Sequence, residues 1–312
     1  METTDGLMGP LLLSRGVVDR SAALRNDEDW LRRVWAEETT RVLLVHEGRT
    51  LVRSRGTETS LTLMSPAEAP EGPRYLLGVD AAGVPYFAVK TLLPDEITDG
   101  PAPEDGPYGA PMGLRRAGAL LDDRDAGLFV YAVALEAWHA GHEHCPRCGS
   151  RTDVAASGHV RVCPDDGSQH FPRVDPAVIM LVHDENDRAL LARGPQWPEG
   201  RMSVLAGFVE PGEALEQAVV REVLEEVGVV ATDARYMGSQ PWPFPRSLMV
   251  GFFARALTTE LRPDAEEIAE ARWWTREELG AAVRSGELGL PSQLSIARRL
   301  IETWYGARID GD

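Results

Sequence analysis

Lysine is all but absent from this chain: Lys90 stands alone among 32 basic residues, and nothing in the sequence explains the bias toward arginine. Cysteine is scarce as well. Cys145, Cys148 and Cys163 are the only three and fall in one short segment, which excludes a disulfide framework and points to a metal site in a reducing, cytoplasmic setting. Long apolar runs are missing. Between Met1 and Arg20 the leucine run is only the three residues Leu11–Leu13, far too short for a secretory segment, and no later stretch is long enough to span a bilayer, so no membrane role is expected. Positive charge is outweighed, with a formal net charge of -17 and a pI near 4.9. Such a surface repels phosphate backbones, which excludes broad electrostatic binding to nucleic acid or anionic membrane but leaves room for a local basic pocket. Internal repeats and low-complexity tracts are also lacking.

What is present suffices for a sizeable core: 312 residues, 43% hydrophobic, fit two domains and a small insert. Arg41–His46 and Thr50–Val52 read as a strand pair across Glu47-Gly48-Arg49, and Tyr75–Val79 with Tyr86–Val89 as another. The stretch from Pro94 to Gly113, crowded with Pro, Gly and acids, reads as a long loop. Apolar residues at helical spacing from Arg115 to Trp138 predict an amphipathic helix that runs into the cysteines. Beyond them, Ala177–Val182 and Ala189–Ala192 read as a strand pair. There follow a helix over Glu213–Val227, a Pro-rich loop, a strand over Leu248–Ala256, an acidic helical stretch and a closing helix over Ser292–Tyr305. Strands and helices mixed in that order predict an α+β protein, an α/β sandwich rather than a doubly wound sheet.

The chemistry concentrates in Gly207–Val229. Pro211 and Gly212 fix a turn into the helix, and Glu213 sits near the favourable end of its dipole. At the other end, Glu222, Glu225 and Glu226 occupy the last turns before Gly228, where the dipole disfavours acids. At 3.6 residues per turn they span an arc of roughly 100°, with Leu215, Val219, Val223 and Val227 opposite. The cluster is repulsive unless a cation fills it, and Mg²⁺ or Mn²⁺ suits carboxylate oxygens and a pyrophosphate at once. A solvated glutamate-rich face is the ordinary explanation for a charge run. It leaves Gly207, Glu213 and the Arg221-Glu222 pair unexplained.

Those fixed positions resemble the Nudix box, Gly-x5-Glu-x7-Arg-Glu-apolar-x-Glu-Glu-x-Gly-apolar, matched at Gly207, Glu213, Arg221, Glu222, Val223, Glu225, Glu226, Gly228 and Val229. The resemblance implies two or three divalent ions held by Glu222 and Glu226, with the Ala206 carbonyl as a ligand and Glu225 as a further ligand or water-activating base. Downstream, Ser239, Gln240, Pro241, Trp242, Pro243, Phe244, Pro245, Arg246 and Ser247 spell the Ser-Gln-Pro-Trp-Pro-Phe-Pro-x-Ser motif of the NADH pyrophosphatases. Three prolines forbid a central strand, and aromatic faces with polar ends suit a base-binding wall. The same resemblance implies a metal-binding Glu267, ahead of its neighbours Glu266 and Glu270. It further implies that Phe208 and Phe171 sandwich the nicotinamide across a homodimer, and that Ala297 contacts substrate through its backbone. It also implies a substrate-contacting arginine, Arg116 or its neighbour Arg115.

The cysteine spacing is that of a zinc ribbon with a structural role, although the expected fourth cysteine is missing and a degenerate, metal-free ribbon is the alternative. Its fourth ligand is Asp166, in the place of a cysteine, or His170, the better ligand by type, whereas His142 and His144 stand too near Cys145. Taken together the resemblance implies an α/β/α Nudix sandwich over 174–312, an N-terminal degenerate Nudix-like domain over 1–140 and a small zinc-ribbon insert over 141–173. The expected reaction is hydrolysis of NADH or NAD⁺ to nicotinamide mononucleotide and AMP, with NAD-capped RNA 5′ ends as further substrates. ADP-ribose is the rival substrate, and a non-catalytic nucleotide-sensing regulator the rival from another class.

Overall fold

A computed structural model describes residues 8–93 and 109–310, and its contacts divide into two compact units. Most of the expected loop over Pro94–Gly113 lies outside the described residues, as does the start of the amino terminus.

One unit comprises residues 15–174 and 243–246. It opens with α1 (Glu28–Trp35), capped by the Asp27 side chain on the Trp30 N–H, and continues through β1 (Arg41–Val45), β2 (Arg49–Arg55), β3 (Glu58–Leu61), β4 (Arg74–Val79) and β5 (Pro85–Lys90). The expected pairing of the first two strands is limited to one bridge, His46 to Arg49. Beyond it they part: β1 runs parallel to β5 in a β1-β5-β4 sheet, while β2 lies between β3 and β6 (Ala110–Gly113) in another. Val42, Leu44, Leu51, Leu76, Phe87 and Val89 form a shared core, which each strand reaches better from its own sheet than as a flat hairpin.

The helix expected over Arg115–Trp138 is two helices, α2 (Leu114–Ala117) and α3 (Asp123–Gly141). The break has a local cause: the Asp122 carboxylate accepts the Asp125 N–H at 2.8 Å and so starts a new helix. A three-stranded sheet of β7 (Asp153–Ala155), β8 (Val160–Val162) and β9 (Gln169–His170) forms the ribbon. It is tied to α3 and β4 by a buried polar network. His139 stacks on Tyr75 with ring centres 4.5 Å apart, donates through Nε2 to the Gly158 carbonyl at 2.9 Å and takes Arg161 Nη1 on Nδ1 at 3.0 Å. Tyr131 and His159 meet at 2.6 Å. Gly158, at φ 91°, admits no side chain, since a Cβ there lies 2.5 Å from the Tyr75 ring.

The other unit joins residues 8–14 to 175–242 and 247–310. Its six-stranded sheet runs β13-β14-β10-β11-β15, with β12 also on β10, where β10 is Asp175–His183, β11 Ala189–Arg193, β12 Leu205–Phe208, β13 Ala231–Trp242, β14 Ser247–Ala256 and β15 Glu270–Trp274. Val178, Met180 and Val182 of β10 face α4 (Leu215–Val227), while Ile179 and Leu181 face α5 (Arg276–Ser285) and α6 (Ile296–Tyr305). Helix, sheet and helix layers follow from that period-2 alternation between two buried faces. Three expectations need correction. The expected Pro-rich loop is in its first half the end of β13, where Pro241 pairs with Leu248; this is permitted because β13 is an edge strand. The acidic helical stretch holds turns and β15 before α5 begins at Arg276. The closing helix starts at Ile296, behind its Ser295 cap.

Burial holds both His139 and His159 near pKa 4, below the ordinary 6.5, and Arg161 and Arg25 respectively add to the effect. The unfolded chain therefore binds more protons than the folded one between pH 6.5 and 4, and stability is lost as pH falls through that window, by up to ~3 kcal/mol per histidine. Urea denaturation at pH 7, 6, 5 and 4 is expected to show the decline, and a His139→Gln, His159→Gln double variant a flatter one.

Candidate active site and cysteine cluster

The site begins with a close approach. Gly207 lies in β12 opposite Val178, and a Cβ on it would stand 1.9 Å from the Glu222 carboxyl carbon and about as near both its oxygens. The carboxylate of α4 therefore rests on the β12 backbone, and only glycine leaves it space.

Glu222 and Glu226, one turn apart, are 9% and 6% exposed. Burial pushes Glu226 up to about 8, with the Glu222 and Glu267 charges adding and a backbone hydrogen bond from Ala206 opposing. Glu222 is raised for the same first reason, tempered by Arg221. Buried like charges of this kind persist only with a proton or a cation between them. An all-oxygen donor set at a convex helix face fits a hard divalent cation.

Arg221 organises the rest. Its guanidinium donates to Glu213 at 2.7 and 2.8 Å, to Glu222 at 2.8 Å, to Glu225 at 2.9 Å and to the Phe208 carbonyl at 2.9 Å. Arg221 in turn holds Glu213 down at about 2. Glu213 also receives the Glu210 N–H at 3.0 Å, which closes the turn before α4. The three acids do not converge equally: Glu225 keeps a side chain 59% exposed and faces Arg221 rather than the buried pair.

Among the downstream acids, Glu267 is the one whose charge acts on both Glu222 and Glu226. Glu270 is taken by Arg193 at 3.6 Å, and the Glu266 N–H bonds Asp264. The motif residues divide. Trp242 and Ser247 close the β13-β14 ladder, and Pro243, Phe244, Pro245 and Arg246 form the turn. The Arg115 guanidinium lies 3.9 Å over the Phe244 ring, so Arg115 rather than Arg116 meets the motif. Gln240 differs from expectation. It is fully buried, its Oε1 accepts the Ile296 N–H at 2.7 Å and its Nε2 donates to the Leu294 carbonyl at 2.9 Å, so its amide is spent inside the protein. Ala297 is likewise buried, with its N–H on the Ser295 hydroxyl at 3.2 Å. Phe171 and Phe208 are 60% and 61% exposed, which leaves their ring faces open.

Donor atoms of Cys145, Cys148, Cys163 and Asp166 all lie within 4.8 Å of one another. The Cys148 and Cys163 sulfurs are 3.4 Å apart, near the edge of about 3.8 Å that a tetrahedron of 2.3 Å Zn–S bonds requires. Asp166 is fixed by the Ser168 N–H at 2.8 Å, and the Ser168 hydroxyl beside it leads the effects that hold it at about 2. His170 turns its Nε2 to the Ser168 hydroxyl at 3.2 Å, and His142 its Nδ1 to the Trp138 carbonyl at 2.9 Å. The set of three thiolates and one carboxylate fits zinc.

Sequence reasoning missed the contribution of residues 8–14 to this unit and the inward turn of Gln240. The apolar run Leu11–Leu13, of which Leu11 and Leu13 are buried, was the available signal for the first.

The NUDIX domain family matches residues 173–290, the NADH pyrophosphatase-like rudimentary NUDIX domain residues 39–138, and the NADH pyrophosphatase zinc ribbon domain residues 141–171. Proteins of Mycobacterium bovis and Mycobacterium tuberculosis, each named NAD-capped RNA hydrolase NudC, are 41% identical to this chain over 94% of both chains. The human NAD-capped RNA hydrolase NUDT12 is 32% identical over 93% of this chain and 72% of its own length.

Gly207→Ala is expected to displace the Glu222 carboxylate and weaken Mn²⁺ binding by at least about tenfold, while the far-ultraviolet circular dichroism stays unchanged. Electron paramagnetic resonance of free Mn²⁺ measures it; unaltered affinity would mean that Glu222 is not held where cations bind.

Proposed function

Since the chain belongs to the Nudix family, in the branch that joins a NUDIX domain to a rudimentary copy and a zinc ribbon, we infer that it hydrolyses NADH and NAD⁺ at the pyrophosphate and removes NAD caps from RNA 5′ ends. The products are nicotinamide mononucleotide and AMP, or 5′-monophosphate RNA. The observation that carries this reading is the buried Glu222–Glu226 pair, with Glu222 seated on Gly207, intact in a chain alike to NAD-capped RNA hydrolases over nearly its whole length. A regulator without catalysis has no use for so costly a pair of carboxylates.

Glu222, Glu226, Glu267 and the Ala206 carbonyl would hold two or three Mg²⁺ or Mn²⁺ ions. Bound there, the ions would supply positive charge to the attacked phosphate and acidify the attacking water. The protein's own groups do the remaining work. Arg221 keeps the Glu222 carboxylate turned toward the site and also holds Glu225, whose exposed carboxylate serves as a further ligand or water-activating base. Trp242, Phe244, Arg246 and Ser247 present the wall against which the dinucleotide is read, with Pro241, Pro243 and Pro245 stiffening it. Phe208 and Phe171, with exposed rings, sandwich the nicotinamide in a homodimer. Arg116 contacts substrate less directly than Arg115, which is already stacked on Phe244. In the ribbon, Cys145, Cys148, Cys163 and Asp166 hold structural zinc. Free thiols are at home in a reducing cytoplasm. No helix among the described residues is long and apolar enough to cross a membrane.

Phosphorus-resolved product analysis with NADH, ADP-ribose and NAD-capped RNA tests the reading. NADH and the capped RNA are expected to be cleaved faster than ADP-ribose, and equal or faster ADP-ribose turnover would overturn the substrate assignment. Glu226→Gln is expected to lower kcat by at least about a hundredfold with either ion, because a neutral amide cannot match an anionic ligand. The raised pKa of Glu226 adds a signature. The folded chain retains a proton there at pH 6–7, so Mg²⁺ binding is expected to release it, seen calorimetrically as a dependence of the binding heat on buffer ionisation enthalpy that fades above pH 9 and is absent in Glu226→Gln.

A further inference from the structure

Residues 8–14 fall outside all three matched family spans, yet they pack into the unit that carries the acidic helix. The Met8 N–H donates to the Met237 carbonyl at 3.0 Å, and the Ser14 hydroxyl to the Ser239 carbonyl at 2.8 Å. Arg299 of α6 donates to the Met8 carbonyl at 3.2 Å. Between these ties Met8 and Leu11, 6% and 2% exposed, enter the same apolar cluster as Met237, Ile296 and Leu300. The segment is a strap laid along the free edge of β13.

That edge needs one. Ladder pairing between β13 and β14 is irregular at Thr232/Arg235 and again at Tyr236/Gly238, immediately before the motif, and Pro241 brings no N–H to it. A slip of one residue would turn Gln240 outward and reverse the facing of Trp242. Two anchors oppose the slip: the strap on Met237 and Ser239, and the buried Gln240 amide on Leu294 and Ile296.

We propose that the strap Met8–Ser14 and the Gln240 amide are positioning elements for substrate choice, which fix the register of the β13 end and with it the facing of Trp242. The proposal rests on reading Trp242 as part of the wall for a nicotinamide dinucleotide. Neither anchor touches the metal-binding acids, so the effect falls on substrate binding rather than on the chemical step.

Leu11→Ser in the full chain, with Gln240→Leu in parallel, is expected to raise KM for NADH about tenfold while kcat stays within about threefold. The ratio of kcat/KM for NADH to that for ADP-ribose falls at least about fivefold. Amide exchange quickens over 238–242 but not over α4. Unchanged KM and ratio in either folded variant overturn the proposal, and so does a parallel loss of kcat on both substrates with deprotection of α4, the mark of a merely structural role. If Leu11→Ser does not fold, Ser14→Ala removes a single hydrogen bond, and a KM for NADH raised about threefold supports the strap while an unchanged one overturns it. If the unaltered protein shows no preference for NADH over ADP-ribose, the substrate reading fails by itself. The anchors are then judged by exchange alone, and undiminished protection over 238–242 overturns them.

Discussion

Two carboxylates buried one turn apart on the same helix set the terms for the catalytic unit. Glu222 and Glu226 are pressed into a place where burial and mutual repulsion favour the proton over the charge. They stay there because the surrounding structure leaves no alternative. Val219, Val223 and Val227 occupy the adjoining face of α4 and pin it to the sheet, so rotating the helix to free the acids would expose that face. Gly207 admits Glu222 to the backbone surface, and Arg221 holds it from the other side. The strain is local and electrostatic, which a cation relieves directly.

The sheet's architecture supplies the rigidity that this arrangement requires. β10 is buried on both faces, and β12, which carries Ala206 and Gly207, pairs with it in register from Ala177 to Met180. The site therefore rests on the most constrained strand of the unit rather than on a loop. Glu267 comes from a turn that closes on Asp264, whose own N–H bonds the Glu226 carbonyl at the end of α4. An acid distant in sequence is thus brought to the helix by backbone hydrogen bonds, not by chance proximity of side chains.

Much of this was legible because the pattern is local. The spacing of Gly207, Glu213, Arg221, Glu222 and Glu226 encodes a turn, a helix and a cluster within one short stretch, and periodicity suffices to place them. The cysteines are legible for the same reason. Three residues fix two knuckles, and it is the donor-atom distances, which spacing does not reveal, that group Asp166 rather than His170 with the three sulfurs. Non-local features escaped. β1 and β2 look like a hairpin from their turn, but β5 competes for β1 from a distance. Gln240 looks like a ligand contact in a motif, but its partners Leu294 and Ile296 lie more than fifty residues on. The single helix expected from Arg115 onward ignored Asp122, a cap whose signal is weak against a strong apolar period.

Edge protection and strand register meet in β13. An edge strand with unpaired backbone groups is a liability, and proline, bulges and a covering segment are the common remedies. β13 carries all three: Pro241 within it, two irregularities in its pairing and residues 8–14 along it. The devices that blunt an edge also weaken its register, because each removes or displaces ladder hydrogen bonds. A strand so treated holds a defined position only if something else fixes it. The buried amide of Gln240 does so from the core side, at the point where the strand leaves for the Pro-aromatic turn. The same edge is therefore closed to other strands and held in one register.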